Sequence, residues 1–161
     1  MKDLGSRRWI QTAVVVCLSF CSAAPIFSAI RNWAVVMAAG NKLQDVPMAD
    51  LSKLCKGTQK LWPDGKPFTL VIHDPDSPEM RHALQKLFGV EASELKSFLA
   101  KLNETRRVVK IVETDEDLFR TVEATPGAVG LVDVYSINSS VKVLRIDGKL
   151  PFDPGYGLKG N

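Results

Sequence analysis

From residue 33 onward the sequence predicts an α/β domain, and three observations predict it. Short apolar runs such as WAVVMA, FTLVI and VVKIV alternate with stretches in which apolar residues recur every three or four positions. Gly, Pro and Asp punctuate the junctions, and alternation of this kind builds helices against a sheet. The third is size: the residues after 29 have the length of a single domain with one core.

The elements follow in order. WAVVMA is a strand candidate. MADLSKLCKG places Met48, Leu51, Leu54 and Cys55 on one helical face and stops at Gly57, a residue suited to the left-handed end of a helix. A Pro63-Asp64-Gly65 turn leads into a strand over residues 68–72, with Trp62 ahead of the turn placed to cover the edge of the core. Ser77 followed by Pro78 opens a helix, because a serine hydroxyl takes a free first-turn N–H and proline suits the first helical position. That helix carries Met80, Ala83, Leu84, Leu87 and Phe88 inward and ends at Gly89. Another, from about Ser93, uses Leu95, Phe98, Leu99 and Leu102, and the polar NETRR ends it. VVKIV is a strand, and TDEDLFRTVEA is a helix that Thr114 caps with Asp117 three residues on. Pro126, Gly127 and Gly130 suit a tight helix-to-strand connection with close backbone packing. AVGLVD and VKVLRI give two more strands, and Asp147-Gly148 turns the chain into a Pro/Gly-rich tail.

The first 29 residues read differently. Lys2, Arg7 and Arg8 precede an uncharged stretch over residues 9–30, which has the form of a basic n-region, an apolar h-region and small residues near a cut after Ala23, Ala24 or Ala29. Ser6-Arg7-Arg8-Trp9-Ile10 also resembles a twin-arginine export signal. The alternative is an uncleaved anchor, since 22 uncharged residues just span a bilayer. Either way residues 30–161 are expected outside the cytoplasm, touching membrane only through an uncleaved N-terminal segment. Cys17 and Cys21 fall in this segment, Cys21 as a weak lipoprotein candidate, and Cys55 is left alone as a core residue of its helix.

The formal net charge is +3, and no Lys/Arg run is interleaved with aromatics, which argues against nucleic acid as a partner. His73 and His82 have no cysteine or second histidine at metal-ligand spacing, so no metal or other cofactor is expected. G-x-S-x-G, P-loop and G-x-G-x-x-G patterns are absent. No nucleophile-base pair can be assembled, so an enzyme is not expected. The stretch HDPDSPEMR has two readings. Free N–H groups of a first helical turn, with Arg81 one turn in, suit an oxyanion; the same residues also make an ordinary capped helix start, in which Pro78 removes a donor and Glu79 already satisfies the helix dipole.

Taken together, the strand, the helix ending in KG, WPDGKPFTLVI, the Ser...Arg helix ending in Gly, TDEDLFRTVEATPGAVGLVD and VKVLRIDGKLPFDPGYGL resemble the phosphate-type periplasmic solute-binding proteins. The resemblance covers nearly all of residues 33–158. It implies a type 2 periplasmic-binding-protein-like single lobe, a mixed sheet flanked by helices, in a family that works outside the cytoplasmic membrane and hands solute to an ABC transporter. It implies non-catalytic binding of phosphate or a similar oxyanion. Where the family grips its anion with Ser-Gly-Thr followed by Arg at a helix start, Ser77 and Arg81 stand here, with Pro78, Glu79 and Met80 between them. Thr114, which opens the next helix beside a strand end, is the third candidate ligand residue, and a simple cap is its other reading. Full members close two lobes around the ligand, and this length suits one. The alternative function is a degenerate lobe acting as an extracytoplasmic interaction or accessory module, paired with another protein.

Overall fold

The computed structural model describes residues 31–159, so the expected signal or anchor over residues 1–29, with Cys17 and Cys21, lies outside the described residues. The elements run β1 (Trp33–Ala38), β2 (Asp45–Val46), α1 (Met48–Cys55), β3 (Thr69–Ile72), α2 (Pro78–Phe88), α3 (Ala92–Arg106), β4 (Val109–Ile111), α4 (Asp115–Ala124), β5 (Ala128–Asp133), a 3-10 turn (Val134–Ser136), β6 (Val141–Val143) and β7 (Arg145–Ile146). Five strands form a mixed sheet in the order β4-β3-β5-β1-β6: β3 runs parallel to β4 and β5, and β1 antiparallel to β5 and β6.

The alternation of side chains along the strands makes three layers. Trp33, Val35 and Met37 of β1, Leu70 and Ile72 of β3, and Val129 and Leu131 of β5 face one way, into a core shared with α1, α2 and α3. Ala34 and Val36, Val71, and Ala128 and Val132 face the other way, against Leu118, Phe119 and Val122 of α4. The apolar stripes read from the sequence are the buried ones. Leu51, Leu54 and Cys55 of α1 and Met80, Ala83, Leu84, Leu87 and Phe88 of α2 are buried, while Met48 and Phe98 are partly covered at the margin. Gly57 and Gly89 both take positive φ at helix ends, as their positions predict.

α3 runs past its last apolar residue, Leu102, and ends within NETRR at Arg106: Asn103 is held by β4 and Arg107 takes the left-handed turn at φ 49°. One detail differs from the pattern. VKVLRI is not one strand. Leu144 N–H still donates to Val35 of β1, and the next residue, Arg145, donates to Gln44. The chain thereby leaves the main sheet and pairs β7 with β2 in a two-stranded ribbon.

Because β3, β4 and β5 are parallel, they finish at one end of the sheet. Trp33 at the start of β1 pairs with Asp133 at that end, and Asn32 bridges to Lys159. In open α/β sheets the crevice outside the carboxyl ends of the strands is where ligands bind.

Candidate functional site

At this end a cleft of about 670 Å³ opens between the loop after β3, the face of α3 and the end of β4. Its floor is apolar, from Leu99, Ala100 and the exposed Ile111; its rim carries Asp74, Asp76, Ser77, Lys96 and Glu113. Hydrogen bonds of the loop shape the rim. The Asp74 carboxylate accepts from Asp76 N–H at 2.9 Å, and the Asp74 carbonyl accepts from the Ser77 hydroxyl at 3.1 Å. Ser77 Oγ in turn accepts from Met80 N–H at 3.4 Å, a long cap bond that leaves the hydroxyl weakly committed to its helix.

Of the three predicted ligand residues, the fold brings only Ser77 to the cleft lining. Arg81 is one turn into α2, and its Nη2 donates to the Asp76 carbonyl at 2.6 Å, so the guanidinium folds back on the loop. Thr114 caps α4 as its sequence position predicts. Its Oγ1 accepts from Asp117 N–H at 3.1 Å and donates to the Asp117 carboxylate at 3.0 Å. That hydroxyl is occupied by its own helix.

The sequence reading did not pick out Lys96, whose ammonium reaches Asp76 Oδ2 at 3.2 Å from α3, or the pair of His73 and Asp115 at 2.8 Å. The other His73 ring nitrogen lies 3.3 Å from the Val112 carbonyl, so both ring positions face oxygen atoms. Acceptors crowd this end: Asp74, Asp76 and Glu113 line the cleft, Glu79 stands in the first turn of α2, and Lys96 is the one ammonium in the lining. Among the described residues no group of three His, Cys, Asp or Glu side chains is placed to hold a metal ion. Tyr135 and Phe152 are also exposed at this end, their ring centroids 6.1 Å apart.

No family model matches the chain. Over 79 residues it is 38% identical to phosphate-binding protein PstS 2 of Streptococcus agalactiae, a match covering 49% of this chain and 26% of that protein. In three dimensions it is similar to PstS from Borrelia burgdorferi, with a TM-score of 0.64 and 15% identity over 81% of this chain and 55% of that one. It is similar as well to an ABC-type phosphate transport receptor from Vibrio cholerae, with a TM-score of 0.57 and 18% identity over 76% of this chain and 48% of that one. The chain thus spans about a quarter of the curated relative and about half of the solved ones. The fold is that of the phosphate-type solute-binding proteins, in the extent of a single lobe, as the sequence pattern implies.

Proposed function

We propose that this chain is a non-catalytic binding lobe of the phosphate-receptor type. It works outside the cytoplasmic membrane, periplasmic or secreted, or held there by residues 1–29. Its binding face is the sheet end where β3, β4 and β5 finish. The observation that carries this reading is the start of α2: it opens directly off β3 at the mouth of the cleft, with Ser77 lining it. Similarity to proteins named for phosphate binding and phosphate transport makes phosphate the first ligand of this reading and an ABC transporter its first partner.

An oxyanion in the cleft would take the Ser77 hydroxyl and the dipole of α2's first turn. Arg81 and Lys96 would join it only by leaving Asp76, which holds one at its carbonyl and the other at its carboxylate. Thr114, at the start of α4 and outside the cleft lining, would join it only by giving up its bonds to Asp117. The acidic rim favours the second reading, an accessory lobe that meets another protein. The exposed Tyr135–Phe152 pair beside the same face offers the apolar area such a contact uses.

Calorimetric titration with phosphate, sulfate and molybdate, beside an Arg81→Ala control, separates the two. Saturable heat that Arg81→Ala abolishes supports the oxyanion receptor. No heat with any of the three, from protein whose circular dichroism shows it folded, sinks that reading and leaves the accessory lobe.

A further inference from the structure

The opposite end of the sheet, where β3 and β4 begin, carries the reverse charge. Most cations among the described residues hold a carboxylate or a carbonyl: Lys53, Lys66, Lys96 and Arg120 are ion-paired, and Arg81, Lys86 and Lys149 bond to main-chain oxygens. Of the seven with neither kind of partner, four, Lys56, Lys60, Lys101 and Arg106, line two adjoining hollows of about 370 and 270 Å³. The hollows share Gly57 and Arg106, and neither has a carboxylate in its lining.

A cation in the last turn of a helix is ordinarily explained by the helix dipole, and Arg106 ends α3. Its guanidinium does not lie on that helix's carbonyls. It crosses to the end of α1, where a Cβ at Gly57 would come within 3.2 Å of Nη1. Glycine at this point therefore leaves the room in which the guanidinium sits between the hollows. The larger hollow is two-sided: Lys60 and Arg106 supply charge, while Leu54, Phe68, Val108 and the half-exposed Leu61 supply an apolar wall. A bare inorganic anion gains nothing from such a wall, and a neutral hydrocarbon gains nothing from the cations.

We propose that these hollows form a second binding site, distinct from the cleft after β3, for an anionic amphiphile: a phosphate or carboxylate head on an alkyl chain, the chemistry of an anionic lipid. The head sits between Lys60 and Arg106, with Lys56 and Lys101 around it, and the first carbons of the chain lie against Leu61 and Phe68.

The test is calorimetric titration of the full chain with octyl phosphate below its micelle-forming concentration. Octyl glucoside serves as the neutral amphiphile and inorganic phosphate as the bare anion, and Arg106→Gln and Lys60→Gln are the variants. Both side chains are exposed, so the variants keep the fold. The expected result is saturable binding of octyl phosphate, absent with octyl glucoside, weakened about tenfold in each variant, with inorganic phosphate failing to compete. Octyl phosphate binding that the variants leave unchanged overturns the proposal, as does equal binding of octyl glucoside. Inorganic phosphate that displaces the amphiphile from the wild type but not from Arg81→Ala places the anion in the cleft and overturns it too. Loss of phosphate binding in Arg81→Ala alone bears only on the cleft, so the two sites fail separately.

Discussion

Gly127 turns the chain out of α4 into β5 at φ 82°, and a Cβ there would stand 2.3 Å from the Pro67 carbonyl oxygen. Its own carbonyl accepts from Trp62 Nε1 at 2.7 Å, and Trp62 packs edge-on against Phe68. The indole thus ties the turn before β3 to the turn before β5, which is more than covering the core edge. Gly127→Ala adds backbone strain to a clash with main chain that has nowhere to move. It should lower the unfolding free energy by about 2–4 kcal/mol, read from urea denaturation followed by tryptophan fluorescence. Trp62→Phe keeps an aromatic side chain, though a smaller one, and removes the N–H that the buried Gly127 carbonyl accepts, so about 1–3 kcal/mol should be lost. Cys55 and Tyr156 act through pH. Burial pushes both well above their ordinary values, so the fold excludes their charged forms while the unfolded chain admits them. Their contribution is whole below the unfolded-state values, about 8.5 and 10, and is lost as pH rises above them. Unfolding free energy should therefore fall by about 1.4 kcal/mol per pH unit above pH 9, and more steeply beyond pH 10. Cys55→Ala should start less stable yet stay flat to about pH 10; a parallel decline in that variant would assign the alkaline loss to another group.

The two capped helix starts differ in a way that bond lengths make testable. Thr114 exchanges two bonds with Asp117, at 3.1 and 3.0 Å, while Ser77 accepts one at 3.4 Å and donates to Asp74 outside its helix. Thr114→Ala should cost about 1–2 kcal/mol and Ser77→Ala about half as much or less, by thermal unfolding. A larger loss at Ser77 would mean that the loop bond to Asp74, and not the cap, holds the start of α2. Asn103 does for a strand what these caps do for helices. Its side chain bonds both N–H and C=O of Val109 at 2.9 Å, filling the outer edge of β4 where another strand would pair. This is also why α3 outruns its apolar stripe: periodicity marks where burial stops, and Asn103 extends the helix for a contact that periodicity does not register. The same limit hides β2 and β7. Two-residue strands have no pattern, and theirs is fixed by partners a hundred residues apart, with Asp147 and Asp45 accepting from Met48 and Gly148 N–H groups. The longer helices were legible because each has one apolar face that the fold buries, and the central strands because they are continuous apolar runs buried on both faces.

At the scale of the whole molecule the legible part of the site was Ser77, whose position before Pro78 announces a helix start wherever the helix lies. The cleft itself was not legible, because it exists only once parallel pairing sets β4 beside β3 and brings Glu113 and Lys96 to residues 73–77. Nor does any spacing show that Arg81 turns onto the Asp76 carbonyl, since that depends on the loop's own path. The assembled end of the sheet is acidic where the proposed ligand is anionic, and Asp76 is the centre of the conflict. It occupies Lys96 with its carboxylate and Arg81 with its carbonyl while adding a negative charge to the rim. Replacing the carboxylate by an amide removes the charge, releases Lys96 and leaves the carbonyl in place. A unit charge acting on a phosphate dianion some 8 Å away through water is worth on the order of 1 kcal/mol. Asp76→Asn should therefore bind phosphate about fivefold more tightly than the wild type, with the gain shrinking as salt is added. The exposure of the side chain makes the cost to stability small, so calorimetry reads binding and not folding. A variant that binds phosphate no better than the wild type would take the anion out of this cleft and leave the acidic end to a partner protein.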